Sequence, residues 1–368
     1  MPEIKQLLIN ESRKLSPLTP VRKKMGAKVD ALICCAGFEE RAVAITKDVA
    51  FKDVGTVIVV TYPTNCDDNS PAIKEFRRLR RSRMLTEIQY DRSTFLYSIS
   101  TILRELNLPD SAHIVVDVSA MASYLISRVF AALFRHAQTC ILSVYYSEAK
   151  EYSPSSTEWD VFIDGVENQN DNLMIAERYE QTWFQSRGLG ETYESDVFPG
   201  RNPDPLATKV IAIPSFSLQR MKAMLTFASS NYNVPNGNLV WMIGVPPNES
   251  LNGWRSEALR VLYNVRDECC SVSTMDYRET LLALDTIWTS SAAESHLVLA
   301  DMGSKMQHLA VYLFLRMHSE CGLIHCEPES FLPQKYSVGI GNRWCIEFGS
   351  LSELDGALAS AGNLAFEW

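Results

Sequence analysis

The segment Asp301-Met302-Gly303-Ser304-Lys305-Met306 places a carboxylate, a bare stretch of backbone, a hydroxyl and an ammonium directly before an apolar run, MQHLAVYLFLRM. Glycine lets a backbone approach a ligand closely, serine donates a hydrogen bond, and lysine sets a positive charge where a phosphate would rest. The GxxxxGK[ST] spacing of a phosphate-binding loop is absent, and a strand-to-helix turn with a solvated lysine fits the same residues. A second group, Phe38-Glu39-Glu40-Arg41, sets an acid beside a guanidinium, a pairing able to grip a ribose hydroxyl and a phosphate. Its alternative is a helix first turn in which the dipole favours the glutamates and Arg41 faces elsewhere. The candidate ligand-binding residues are Phe38, Arg41, Ser119, Gly303, Ser304, Lys305 and Glu327, and the candidate acids or bases are Glu39, Asp117, Glu148 and Asp301. Glu148 and Glu327 could also act as acids or bases, though residues so placed more often orient a loop.

Other chemistries lack their residues. Gly37 stands without GxGxxG, so a standard NAD fingerprint is missing, and there is no GxSxG elbow. None of the six histidines sits at a metal spacing such as HExxH, and the nine cysteines contain no CxxC pair. No metal and no resident cofactor are expected, while a nucleotide ligand is. The thiols read as small buried side chains of a reducing compartment.

Positioning such residues requires strands that end together. Apolar runs of strand length alternate with helix-period stretches from about Asp30 to Phe348: DALICC, TVIVVTYP, AHIVVDV and CILSVYY, then KVIAIP, NLVWMIGVPP, CCSVSTM, SHLVLADM and CGLIHC. That alternation is the pattern of βα units on a mainly parallel sheet. The residues after each run also repeat in order. Gly37-Phe38-Glu39-Glu40-Arg41 matches Ser215 to Arg220, Tyr62 to Asn65 matches Pro246 to Asn248, Asp91 matches Asp276, Asp117 matches Asp301, and Glu148 matches Glu327. Offsets stay between 178 and 185 residues, which points to an internal duplication. The expected fold is α/β, two tandem Rossmann-like domains. The expected boundaries are an N-terminal arm at 1–28, domain 1 at 29–170, a connecting helix and linker at 171–207 with its break near Asp204, and domain 2 at 208–368, closed by a final strand in VGIGNRWCIEF and a helix capped by Ser350.

The net charge of −9 and pI near 5.3 argue against a general nucleic-acid coat. Arg77, Arg78, Arg80 and Arg81, with Lys74 and Arg83, read as a solvated face of a helix beginning near Pro71, with nucleic-acid or partner contact as the lesser alternative. The N-terminus has no apolar core of a secretory signal, and no run reaches membrane-spanning length, so the expected location is the cytoplasm.

A strand ending in Asp, a small-residue turn of Gly-Ser-Lys type and an apolar helix together resemble the turn of CRISPR-associated Rossmann fold (CARF) domains. Asp301 to Met306 carries the resemblance, and Asp117-Val118-Ser119-Ala120-Met121 is its counterpart without the lysine. Such domains pair through a two-fold axis and bind cyclic oligonucleotides or other nucleotide signals across it. The resemblance implies a single-chain version of that pair: a nucleotide-sensing regulatory protein of a bacterial antiviral defence system, its ligand at strand ends near the domain interface. Its effector would be a partner chain or one of the halves, and a homodimer is equally open. Two other readings stay open, an enzyme of nucleotide metabolism or nucleic-acid cleavage using the strand-end carboxylates, and a non-catalytic adaptor.

Overall fold

The computed structural model describes residues 15–21, 28–49, 54–79, 84–166, 171–183, 185–200, 206–265 and 269–364. Most of the expected arm, Arg80, Arg81, Arg83 and the break near Asp204 lie outside these residues. Runs rich in Val, Ile, Leu and Cys form strands because such side chains suit a sheet covered on both faces. In chain order the strands are β1 (Thr19–Pro20), β2 (Val29–Ala36), β3 (Val54–Thr61), β4 (Met84–Gln89), β5 (His113–Asp117), β6 (Ile141–Ser147), β7 (Glu151–Tyr152), β8 (Ser186–Pro199), β9 (Ala207–Ile213), β10 (Leu239–Val245), β11 (Cys269–Ser273), β12 (Ser295–Asp301), β13 (Gly322–Phe331), β14 (Ser337–Val338) and β15 (Arg343–Ser350). A 3-10 helix, Glu40–Lys47, follows β2, and α-helices connect the later parallel strands of each half. The helix carrying the arginine run spans Cys66–Leu79, so it begins before Pro71 rather than at it. Arg77 pairs with Glu87 at 2.6 Å and Arg78 with Glu75 at 2.7 Å, both at the surface.

The chain forms two mainly parallel sheets, ordered β1-β15-β6-β5-β2-β3-β4 and β11-β10-β9-β12-β13-β8, with β7 and β14 making a small pair. Within each half, the five parallel strands stand third, second, first, fourth, fifth from one edge. This is the Rossmann-like arrangement, twice over.

Each parallel block ends on an antiparallel strand that follows the other half in sequence. β8 comes after the first half yet pairs with β13, and β15 comes after the second half yet pairs with β6. Their registers correspond: Trp344 faces Tyr146 and Tyr193 faces His325, and Tyr146 and His325 lie 179 residues apart at matching places of the repeat. The sixth strand is therefore exchanged between the two copies.

Two compact units result, one containing 15–152 with 336–360, the other containing 153–335. The expected boundaries differ from these units. Segment 171–207 is more than a linker, since it supplies the helix Asn172–Thr182 and the edge strand β8 to the second sheet. The expected final strand exists as β15, and the closing helix Leu351–Leu364 follows it, but β15 completes the first sheet. The physical reason is the bare edge that β6 and β13 would otherwise present, a row of backbone groups satisfied here by an antiparallel partner. Aromatic burial explains the assignment of 153–183. Trp159 and Tyr179 pack with Phe216 in the second unit's core, and removing one such side chain from water is worth roughly 2–3 kcal/mol. All nine cysteines are free thiols; Cys34 and Cys35 are buried, whereas Cys269 and Cys270 are half-buried. Among the described residues, no helix is long and apolar enough to cross a membrane.

Candidate functional site

In an open parallel sheet the C-terminal strand ends form the rim where ligands bind, above all where the chain switches direction, here between β2 and β5 and between β9 and β12. At the first sheet's rim the candidates form one hydrogen-bonded chain. Asp117 Oδ1 accepts from the Ser119 amide at 2.9 Å and from its hydroxyl. Ser119 Oγ accepts in turn from the Ser147 amide at 2.8 Å. The Ser147 carbonyl accepts from Arg41 Nη1 at 3.2 Å, and Arg41 grips Glu39 through Nε at 3.1 Å and Nη2 at 3.0 Å. Arg41 Nη1 also donates to the Tyr146 and Tyr152 hydroxyls, at 3.4 and 3.3 Å. Burial works against its charge, but the Glu39 carboxylate outweighs that and holds the guanidinium pKa well above its ordinary value. Arg41 is only 5% exposed. Glu39 and Arg41 therefore face each other rather than diverging, and Ser337 Oγ donates to Glu39 as well. Phe38 packs edge-on against Tyr336 at 5.5 Å, and Trp344 Nε1 of β15 donates to Glu148 at 2.8 Å.

The switch point of the first sheet is closed by its own chain. A Cβ on Gly37 would sit 3.0 Å from the Ala120 Cβ, a tight contact that glycine avoids. The Tyr62 hydroxyl donates to the Ala120 carbonyl at 3.3 Å and accepts from the Ala122 amide at 2.8 Å. Since Ala122 caps the helix Ser123–His136, this tyrosine takes the amide at the mouth of that helix.

The second rim is built on the same plan with different endings. Arg220, 179 residues after Arg41, donates through Nε to the Cys326 carbonyl at 2.9 Å, as Arg41 does to Ser147, and lies over Phe331 where Arg41 lies over Tyr152. Tyr193 of β8 donates to Glu327 as Trp344 does to Glu148. Asp301 accepts from the Gly303 amide at 2.9 Å and holds His308 Nδ1 with its other oxygen. The counterpart of Ser119 is Gly303, where a Cβ would meet Gln307 Oε1 at 2.7 Å and Ile213 Cγ2 at 2.8 Å. Ser304 caps the helix Lys305–Met317 in a capping box with Gln307. Its hydroxyl proton goes to the Thr274 carbonyl at 2.6 Å, so a ligand would not meet that proton here. Lys305 is the first helical residue and is half-buried. The repeat places Pro246 where Tyr62 stands, and proline has no hydroxyl.

The structure thus brings together Glu39, Arg41, Asp117 and Ser119 on the first unit, and Asp301, Gly303, Ser304 and Lys305 on the second. Sequence reasoning missed Tyr62, Trp344, Tyr193, His308 and Gln307. Trp344 and Tyr193 lie on the exchanged strands, outside the 178–185 spacing that reveals the repeat. Gln307 was detectable, because Ser304-x-x-Gln307 is a capping-box spacing. Among the described residues no cluster of His, Cys, Asp and Glu is placed to hold a metal ion.

Asp117 is the perturbed acid of the first rim. It is 2% exposed, its Oδ2 has no hydrogen-bond partner among the described residues, and burial raises its pKa from 3.8 to about 7, against the downward pull of Ser119 and Arg41. The folded chain therefore holds this proton up to about pH 7, whereas an unfolded aspartate releases it near 3.8. Folded protein binds the extra proton across that window, so its stabilising contribution is full below the window and is lost as pH rises through it. The difference amounts to at most roughly 4 kcal/mol. Asp117→Asn is expected to flatten this part of the stability profile, read as denaturant midpoints from pH 4 to pH 8. A slope identical to wild type would remove Asp117 as its source.

No family model matches the chain, and no curated protein matches it either. Solved structures give distant likenesses. A candidate type II methyltransferase from Anaeromyxobacter dehalogenans is 15% identical with a TM-score of 0.21, over 49% of this chain and 57% of its own, so the match spans less than two thirds of that protein. The cytoplasmic domain of a prokaryotic cation chloride cotransporter is 9% identical over 84% of this chain and 99% of its own, with a TM-score of 0.23. AtPrR2, solved with NADP+ and (+)pinoresinol, is 12% identical over 71% and 83%, also at 0.23. Likeness at this level assigns no activity.

Proposed function

We propose that the chain is a nucleotide-binding regulatory protein whose ligand sits on the rim of the second sheet, its phosphate at the start of the helix Lys305–Met317. The observation that carries this reading is the difference between two rims of one design. At the first switch point Tyr62 takes the Ala122 amide and Gly37 packs close against Ala120. At the second, the same place carries Gly303, a self-capped helix and Lys305, which combine the helix dipole and a cation. In this reading Arg41 and Ser119 are braces rather than ligand groups, since protein acceptors take their donors. Lys305 at the start of its helix is the ligand-facing group of this reading, since the Gly303 and Ser304 amides go to Asp301 and Gln307 and Glu327 accepts from Tyr193. Asp117 has a buried oxygen with no hydrogen-bond partner among the described residues and a raised pKa, so acid–base catalysis, the competing reading, would rest on it. A role in bacterial antiviral defence, with a partner chain as effector, is the wider reading that the CARF-like turn suggests.

Calorimetric titration with linear and cyclic nucleotides tests the proposal. Binding to wild type and at least tenfold weaker binding to Lys305→Ala is the expected result. The proposal fails if wild type binds no phosphate-bearing compound in the panel, and turnover of a bound nucleotide that Asp117→Asn abolishes would favour the enzyme.

A further inference from the structure

The capping box at Ser304 uses only half of the Gln307 side chain. Gln307 Oε1 accepts from the Ser304 amide at 2.9 Å, which fixes the orientation of the carboxamide, because only the oxygen can take that proton. Gln307 Nε2 is buried and has no hydrogen-bond partner among the described residues, in a side chain that is 1% exposed. Buried amide donors are almost always satisfied, so an acceptor is expected there.

The surroundings show what kind of place this is. The carboxamide lies between two glycines of the rim, Gly244 near the end of β10 and Gly303 just beyond β12. A Cβ on Gly244 would stand 3.5 Å from Nε2 and 2.7 Å from the Thr274 methyl, and a Cβ on Gly303 would strike Oε1 and Ile213, the last residue of β9. The Gly244 carbonyl already accepts from Ser256 Oγ at 2.9 Å, and the Thr274 carbonyl from Ser304 Oγ. An unpartnered donor therefore stands over the central strands of the sheet, at the N-terminus of a thirteen-residue helix whose first side chain is Lys305.

We infer that Gln307 Nε2 is a ligand-reading donor of this rim, placed to donate to a phosphoryl oxygen of a nucleotide seated beside Lys305. The inference rests on the binding reading proposed above and adds the group that distinguishes an acceptor oxygen from any other occupant. An anion recruited by Lys305 and the helix dipole gains a directional hydrogen bond, and the buried amide gains its missing partner.

The test uses the full chain with inorganic pyrophosphate, ADP and a cyclic dinucleotide as probes, and two variants. Gln307→Glu keeps an acceptor for the Ser304 amide, and so the capping box, but replaces the donor with an acid; Gln307→Met keeps the volume and removes both polar atoms. Thermal unfolding checks that each is folded, and if the acid is not tolerated the methionine variant decides. The expected result is that the tightest probe binds Gln307→Met about tenfold more weakly than wild type, and Gln307→Glu at least thirtyfold more weakly. Wild-type affinity in Gln307→Met overturns the inference even if Gln307→Glu is weak, since repulsion by the new acid would then account for the loss. If wild type binds no probe, the binding reading itself falls and this inference with it.

Discussion

Cut between residues 203 and 204, the chain is expected to give two fragments that do not fold singly but form a native-like complex when made together. The first fragment holds β2 to β6 with the outer edge of β6 bare, and it also carries β8, whose partner is elsewhere. The second holds β9 to β13 with the edge of β13 bare, and it carries β15. Each would expose a row of unpaired backbone groups along the edge its missing strand pairs with. For chains of this kind the net stability is only some 5–15 kcal/mol, so losing a central partner of a sheet edge is enough to unfold or aggregate a fragment. Circular dichroism and sedimentation of each fragment, alone and co-expressed, read the outcome. Two fragments that each unfold cooperatively on their own would show that the exchanged strands are dispensable.

Arg41→Met should cost about 3–5 kcal/mol of stability, the usual penalty for removing one partner of a buried ion pair, because Glu39 is left half-buried without its guanidinium. Arg220→Met should cost less, roughly 1–3 kcal/mol, since its partner is a carbonyl rather than a carboxylate. The order of the two is the informative quantity. Equivalent residues of a duplicated module do the same job, tying the first helical element to the fifth strand, but only the first copy does it with a buried charge pair. Chemical denaturation measures both costs. Nucleotide affinity is expected to survive Arg41→Met in whatever fraction remains folded; a tenfold loss of affinity with unchanged stability would return Arg41 to the ligand-binding set.

Strands β2, β3, β5, β6 and β9 to β13 were legible because buried parallel strands are continuous apolar runs, and the strand-end residues repeat at nearly constant spacing; β4, MLTEIQ, shows no such run. The pairing of Arg41 with Arg220 and of Asp117 with Asp301 follows from that spacing alone. The exchange of β8 and β15 was not legible. β8 reads SRGLGETYESDVFP, rich in glycine and acids, because an edge strand with much of its length exposed needs no apolar pattern. Nothing local distinguishes such a segment from a linker, and only the bare edge of β13 gives it a place. The candidate residues were found by type, but their orientation was not. Ser119 and Ser304 are both turn serines by sequence, yet one hydroxyl runs inward to Asp117 and the other to Thr274, which only the packed neighbours decide. Tyr62 likewise looks like an ordinary strand-end tyrosine until its hydroxyl is seen on Ala120 and Ala122.

Hydrogen–deuterium exchange of the intact chain, with and without its tightest-binding nucleotide, bears most directly on a ligand held by one copy of the module and not the other. Slower exchange confined to the amides of 303–308 and their neighbours at the ends of β9 and β10 is the expected pattern. Protection centred on 118–124 instead, with 303–308 unchanged, would place the nucleotide on the rim that Tyr62 closes and contradict the assignment.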